Sequence, residues 1–238
     1  FEYGDFSRAI VNTIIISFSK IAASYFCTVS FALLLNEIQA TWFKKTVQTI
    51  SYAPNFLSWV TVYGIASILF SPQNGLITNL TTSLGLPMID LFTDPSTFRF
   101  TLVLTALWKG IGWGTIIYMA GLAGVDPTLY EAAIVDGAGR FKRMIHISLP
   151  ALMPLLVIQM ILSIGNIMNE NLDQLLMFQN PIVYEVSDVF ETIVYRQGME
   201  NMQYGYASAV GFFQSTCAVI LTLTANWIAK KMGQEGIW

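Results

Sequence analysis

Few residues in this chain could carry chemistry, and their types argue for binding and movement rather than bond breaking. The single histidine, His146, sits in a basic stretch between two apolar runs, which leaves no nucleophile and base pair. No cluster has metal-ligand spacing, and no G-x-x-x-x-G-K-[ST] loop is present to cradle a nucleotide phosphate. Cys27 and Cys217 both fall inside apolar runs, where they read as small buried side chains and not as a disulfide framework. What remains is polar groups embedded in apolar sequence. Gln159, Ser163, Asn166, Glu170 and Asp173 recur at spacings of four, three, four and three, one face of a helix, with Asn169 beside them. Polar groups facing lipid are costly, so this stripe must face protein or a watery cavity, and both readings stay open. Lys20 and Lys109 lie about ten residues into their apolar runs, about 15 Å deep at 1.5 Å per residue. Each is either paired with an acid such as Glu170 or Asp173, or faces a cavity.

A second group of residues spells a helix, a break and another helix over about 125–150. Asp126 is placed to accept from the free N–H groups of a first turn, and Pro127 suits the first helical position. Val125 and Tyr130 have the spacing of a hydrophobic staple. Gly137 and Gly139 then supply backbone freedom for a sharp change of direction, and Pro150 marks the start of the next apolar run.

The elements that must position these residues are membrane spans. Of 238 residues, 54% are hydrophobic and only 11% charged, against roughly a quarter charged in an ordinary soluble domain, which argues against a water-soluble fold. Five apolar stretches, near 9–35, 50–70, 100–124, 150–167 and 206–229, are each long enough to cross a bilayer. Lys44 and Lys45, then Arg140, Lys142 and Arg143, then Lys230 and Lys231 fall on one side, which predicts that side to be cytoplasmic. The opposite loops carry Glu2, Asp5, Asp90, Asp94, Glu170, Asp173, Glu185, Asp188, Glu191 and Glu200, relieved by Arg8, Arg99 and Arg196. An external first residue implies an earlier span, and six or more in the intact protein. The external stretch 71–98, with Pro72, Gly75, Gly85, Pro87 and Pro95, reads as turns and short pieces. From Tyr184 to Arg196, apolar Val186, Val189, Phe190, Ile193 and Val194 alternate with acids, predicting one short amphipathic helix on the external membrane surface. No internal repeat appears, and residues 1–238 read as a single transmembrane domain.

Glu131-Ala132-Ala133, Asp136-Gly137-Ala138, then Ile147-x-Leu149-Pro150 resembles the EAA motif of ABC importer permeases. Met144 departs from it, standing where many members have an aromatic residue, though it keeps an apolar knob. The resemblance extends to Asn12-Thr13, to Trp108-Lys-Gly-x-Gly-Trp113-Gly114 and to Tyr204-Gly-Tyr-Ala-Ser-Ala209, which are similar to carbohydrate-uptake permeases. Asn36-Glu-Ile, Val47 to Pro54 and Asn180 to Asp188 are similar to the branch serving complex oligosaccharides.

The resemblance implies an all-α polytopic transmembrane bundle of the type I ABC importer permease kind, in the cell membrane of a bacterium, with the 125–150 segment and C-terminus cytoplasmic. It implies a coupling helix that transmits the motion of an ATPase. Glu131 and Asp136 would be polar anchors, Ala132 and Ala133 would permit close approach, and Gly137 would give the bend. The partners implied are a second similar permease, two ATPase subunits, an external substrate-binding protein, an oligosaccharide and the lipid bilayer, with no nucleic acid. ATP and magnesium would be held by the ATPase subunits, and no cofactor by this chain. In maltose-type permeases the helix after the coupling loop offers asparagines to the sugar, and Asn166 and Asn169 lie at similar positions. An unpaired Lys20 or Lys109 would then attract an acidic sugar such as a uronate, and Trp59, Trp108 and Trp113 offer stacking faces as well as interface anchors. The same architecture importing a peptide or amino acid is the alternative. An ion-coupled secondary transporter gives no reason for the loop, and a membrane-embedded enzyme lacks a catalytic set.

Overall fold

The computed structural model describes residues 3–85, 90–233 and 236–237, and the side chains of residues 3–5 are outside it as well. Glu2, Pro87 and the side chain of Asp5 therefore lie outside the described residues. Among the described residues every regular element is helical. In order these are α1 (Tyr3–Asn36), α2 (Thr41–Tyr52) with a 3-10 turn Ala53–Phe56, α3 (Trp59–Phe70), α4 (Leu76–Ser83), α5 (Pro95–Ala123) and α6 (Pro127–Val135). There follow α7 (Arg140–Arg143), a π turn Met144–Ser148, α8 (Leu149–Gly165), α9 (Leu172–Phe178) and a 3-10 turn Pro181–Val183. The last are α10 (Tyr184–Ser187), α11 (Phe190–Tyr195), a π turn Arg196–Glu200 and α12 (Tyr204–Lys231).

Among the described residues, four stretches are long and apolar enough to cross a membrane: Phe6–Asn36, Pro95–Ala123, Arg140–Gly165 and Tyr204–Lys231. The fifth expected span is not one straight helix. Thr41–Phe56 and Trp59–Phe70 pass the same test only together and are bent by 107° at the break between them. Ser58 explains the restart, because its Oγ accepts from Thr61 N–H at 3.3 Å as the N-cap of α3.

The chain forms two compact units: residues 1–21, 57–109 and 166–220, and residues 22–56, 110–165 and 221–238. The first is built on Phe98, Leu102, Leu175, Phe178, Val183 and Val189, all essentially inaccessible to solvent. Its aromatic centre sets Tyr63 edge-on to both Phe178, at 5.2 Å, and Phe92, at 5.8 Å, and those two rings stack on each other at 6.1 Å. Gln174, fully buried, donates from Nε2 to the Leu102 carbonyl at 2.8 Å and to Thr105 Oγ1 at 2.9 Å, so one amide ties α9 to α5. The second unit packs Ala32 and Leu33 with Tyr118, Leu122 and Leu152, and Met144 lies against this cluster.

The 184–196 stretch departs from the single surface helix that its periodicity predicts. It folds as α10 and α11, broken at Asp188 and Val189, and its apolar face closes on protein, with Val189 and Phe190 fully buried. Polar groups cause the break. Asp188 accepts two bonds from Arg196, at 2.8 and 3.0 Å, and Val189 N–H donates to Thr192 Oγ1 at 2.9 Å, starting a new turn. Asn12 then donates from Nδ2 to the carbonyls of Glu185 and Asp188, both at 3.0 Å, fastening the loop to α1. Arg99 completes the knot by donating to Asn12 Oδ1 at 2.7 Å and to the Val186 carbonyl at 3.1 Å. The Asn12-Thr13 pair is thus a loop anchor, with Thr13 Oγ1 accepting from Phe190 N–H at 3.3 Å.

Candidate functional site

The 125–150 segment folds as its local chemistry dictates. Asp126 Oδ1 accepts from Thr128 N–H at 2.9 Å and Pro127 occupies the first turn of α6. That hydrogen bond, with a further one from the Thr128 hydroxyl, holds the Asp126 carboxyl below its ordinary range. Glu131, Ala132 and Asp136 are exposed, and Ala133 and Ala138 are half-buried. Gly137 lies at φ +75°, a left-handed conformation that glycine adopts without cost, and no atom stands within 4 Å of where a Cβ would be. The glycine is required by the backbone and not by crowding.

Beyond this turn α7, the π turn and α8 form one helix, Arg140–Gly165, which runs through Pro150 without interruption. Ser148 is buried and hydrogen-bonds the Tyr130 hydroxyl at 2.9 Å, pinning α6 to the base of that helix. Ile147 and Leu149 are half-buried, and Pro150 is exposed. Leu129, Ile134, Val135 and Phe141 are largely exposed, Val135 at 87%. Arg140 and Lys142 are exposed between them. An apolar knob on a basic ground, joined rigidly to a membrane helix, can transmit displacement to that helix.

The polar stripe does not survive as one helical face. Helix α8 ends at Gly165, and Asn171 caps α9 by accepting from Gln174 N–H at 3.0 Å. Only Gln159 and Ser163 remain on α8, both half-buried, whereas Asn166, Asn169 and Glu170 lie in the connecting turn and Asp173 opens α9. Gly165 and the caps that follow outweigh the continued spacing.

Glu170 forms the centre of a buried polar cluster instead. Its carboxylate accepts from Ser17 Oγ at 2.8 Å and pairs with Lys20 Nζ, and the side chain is 6% exposed. Beside it Gln214 Nε2 contacts the Met168 carbonyl at 2.8 Å, Asn169 Oδ1 at 2.7 Å and Glu191 Oε1 at 2.5 Å. Burial pushes the Glu191 carboxyl up to about 7, assisted by the charge of Glu170 and opposed by hydrogen bonds from its own backbone, Gln214 and the Glu170 backbone. Gln214 escapes a reading of the sequence because it is a lone amide without a periodic companion, and Gln174 because it stands beside Asp173, four residues past Glu170, where the polar stripe draws attention to its neighbours. A single amide inside an apolar run is the signal that would have found Gln214.

Lys109 turns to the backbone. Its Nζ donates to the Leu57 carbonyl at 2.7 Å and stands 5.7 Å from the centre of the Trp59 ring. Trp108 lines a cavity of about 290 Å³ with Val62, Ile65, Leu69 and Leu104, where Thr105 supplies the sole hydroxyl-bearing side chain, an apolar space unsuited to sugar hydroxyls. Trp113 packs edge-on against Phe56 at 5.8 Å.

Long apolar helices with an exposed helix–turn–helix knob describe a polytopic membrane protein. Residues 8–234 match the family described as binding-protein-dependent transport system inner membrane component, and the chain belongs to that family, the membrane-embedded permeases of ABC importers, whose ATPase is a separate subunit. It is 40% identical over 234 residues to protein LplB of Bacillus subtilis (strain 168), covering 98% of this chain and 74% of the relative. It is 39% identical over 233 residues to the polygalacturonan/rhamnogalacturonan transport system permease protein YteP of the same organism, covering 98% and 73%. A chain of the bacterial alginate ABC transporter, solved in complex with an alginate pentasaccharide-bound periplasmic protein, superposes with a TM-score of 0.93 at 32% identity, covering 98% of this chain and 81% of that one.

Proposed function

We propose that this permease imports an oligosaccharide handed to it by an external binding protein, pairing with a second similar permease and two ATPase subunits that hold ATP and magnesium. The exposed knob of α6 and the turn at Gly137 carries the reading, because it leads directly into Arg140–Gly165, a helix long and apolar enough to cross a membrane. In this reading the 125–150 segment and the C-terminus face the cytoplasm, in accord with the lysines and arginines at 140–143 and 230–231. Glu131 and Asp136 anchor the docked ATPase, and Ala132, Ala133 and Ala138 allow close approach. Ile147, Leu149 and Pro150 belong to the helix that receives the push.

The solute class is supported by the relatives named for polygalacturonan and rhamnogalacturonan and by the alginate transporter. Gln159 and Ser163 on α8 and the exposed amides of Asn166 and Asn169 are the groups offered to sugar hydroxyls. The test is uptake of labelled oligogalacturonides, alginate oligomers and neutral oligosaccharides by the complete transporter in proteoliposomes. Uptake should require both internal ATP and the binding protein. Uptake driven by an ion gradient without ATP refutes the reading.

A further inference from the structure

Breaking an apolar helix leaves carbonyls without their N–H partners, and in a bilayer no water is present to satisfy them. Leu57 is such a residue. It lies between the 3-10 turn Ala53–Phe56 and the N-cap Ser58 of α3. Ser58 satisfies one of the free donors of the new helix, its Oγ taking Thr61 N–H at 3.3 Å and lying 3.0 Å from the Thr61 hydroxyl. The acceptor side of the break needs a donor from elsewhere, and α5 provides one.

We propose that Lys109 is a positioning residue that clamps the break before α3. Its ammonium donates to the Leu57 carbonyl at 2.7 Å while standing 5.7 Å from the centre of the Trp59 ring, so it grips the chain on both sides of Ser58. The carbonyl bond is charge-assisted, and the ring face holds the cation electrostatically. The cation that the sequence offers as a lure for an acidic solute is committed to the backbone of its own fold. An intramembrane lysine is costly unless it is held this way, and a break is costly unless something fills it, so each offsets the other. Together they fix where α3 starts against α5, the pair whose Val62, Ala66 and Leu102 belong to one buried core.

The clamp is tested in the complete transporter in nanodiscs with Lys109→Met, Lys109→Gln and Lys109→Arg. Without solute, amide hydrogen exchange over residues 58–62 should rise about tenfold or more in Lys109→Met, as befits loss of a charge-assisted bond, and stay near wild type in Lys109→Arg. Uptake by Lys109→Met should fall in maximal rate equally for neutral and anionic oligosaccharides, with unchanged KM. Should the methionine variant fail to assemble, Lys109→Gln carries the measurement, its neutral donor giving intermediate exchange. Unaltered exchange in the Met variant, or in Gln where Gln replaces it, overturns the proposal. A rise in KM confined to anionic solutes overturns it equally and makes Lys109 a solute ligand.

Discussion

Replacing Glu191 by glutamine should make the stability of this permease less dependent on pH, with a sign fixed by the structure. Glu191 lies in the first turn of α11, and its buried carboxyl contacts the Gln214 amide through Oε1 at 2.5 Å. Burial lifts the carboxyl from an ordinary 4.5 to about 7. That gap is equivalent to about 3 kcal/mol, from roughly 1.4 kcal/mol per tenfold change in proton affinity. Below 4.5 the group is protonated in both folded and unfolded chains and costs nothing. Between 4.5 and about 7 the unfolded chain has given up its proton and the folded chain has kept it, so stability falls as pH rises and the loss is complete above 7. Glu191→Gln mimics the protonated form. It should match wild type near pH 4.5 and exceed it by up to about 3 kcal/mol at pH 8. Thermal unfolding of the assembled transporter in nanodiscs, followed by intrinsic fluorescence from pH 5 to 8, gives the comparison. Parallel curves for wild type and variant refute the argument, because they would mean that Glu191 ionises in the folded state as freely as in water.

Gly137→Val should lower solute transported per ATP hydrolysed, because a β-branched residue at φ +75° is strained by about 1–2 kcal/mol, whereas Gly137→Asn should retain most of the coupling. Wild-type coupling in the valine variant would contradict the role of this turn. Lys20→Met strands the Glu170 carboxylate in a buried site and should destabilise the protein by about 3–5 kcal/mol, with Lys20→Met/Glu170→Gln recovering much of it. A single variant as stable as wild type in thermal unfolding would show that the ion pair contributes nothing.

The features legible in the sequence act over short distances. Asp126, Pro127 and Gly137 each shape the backbone within about one helical turn, so the helix, the turn and the second helix of the 125–150 segment follow from residue type. Apolar runs place α1, α5 and α12 for the same reason, since a bilayer demands length and hydrophobicity of each span separately. The break before α3 was hidden because Phe56, Leu57, Trp59 and Val60 keep the run apolar across it, and hydropathy does not register direction. Ser58, a capping residue inside an apolar run, was the available sign. At Gly165 the error runs the other way: polar spacing continues past the helix end, and periodicity alone cannot see that the helix has stopped.

The pairing with Glu170 that the sequence offers is found at Lys20, whereas Lys109 meets a backbone carbonyl, so what the sequence leaves open is which lysine takes which partner. Lys20 meets Glu170 from 150 residues away, and Lys109 meets a carbonyl 52 residues away. Depth follows from counting residues along a span, but role follows from the partner, and two lysines at similar depth have two different ones. The same cation can neutralise a buried acid, close a broken helix or receive a solute, and the energetic cost of burying it is similar in all three. Conservation of charge at such a position therefore tests the presence of a partner, and only substitutions that separate charge from donor, such as lysine to glutamine, distinguish a clamp from an ion pair.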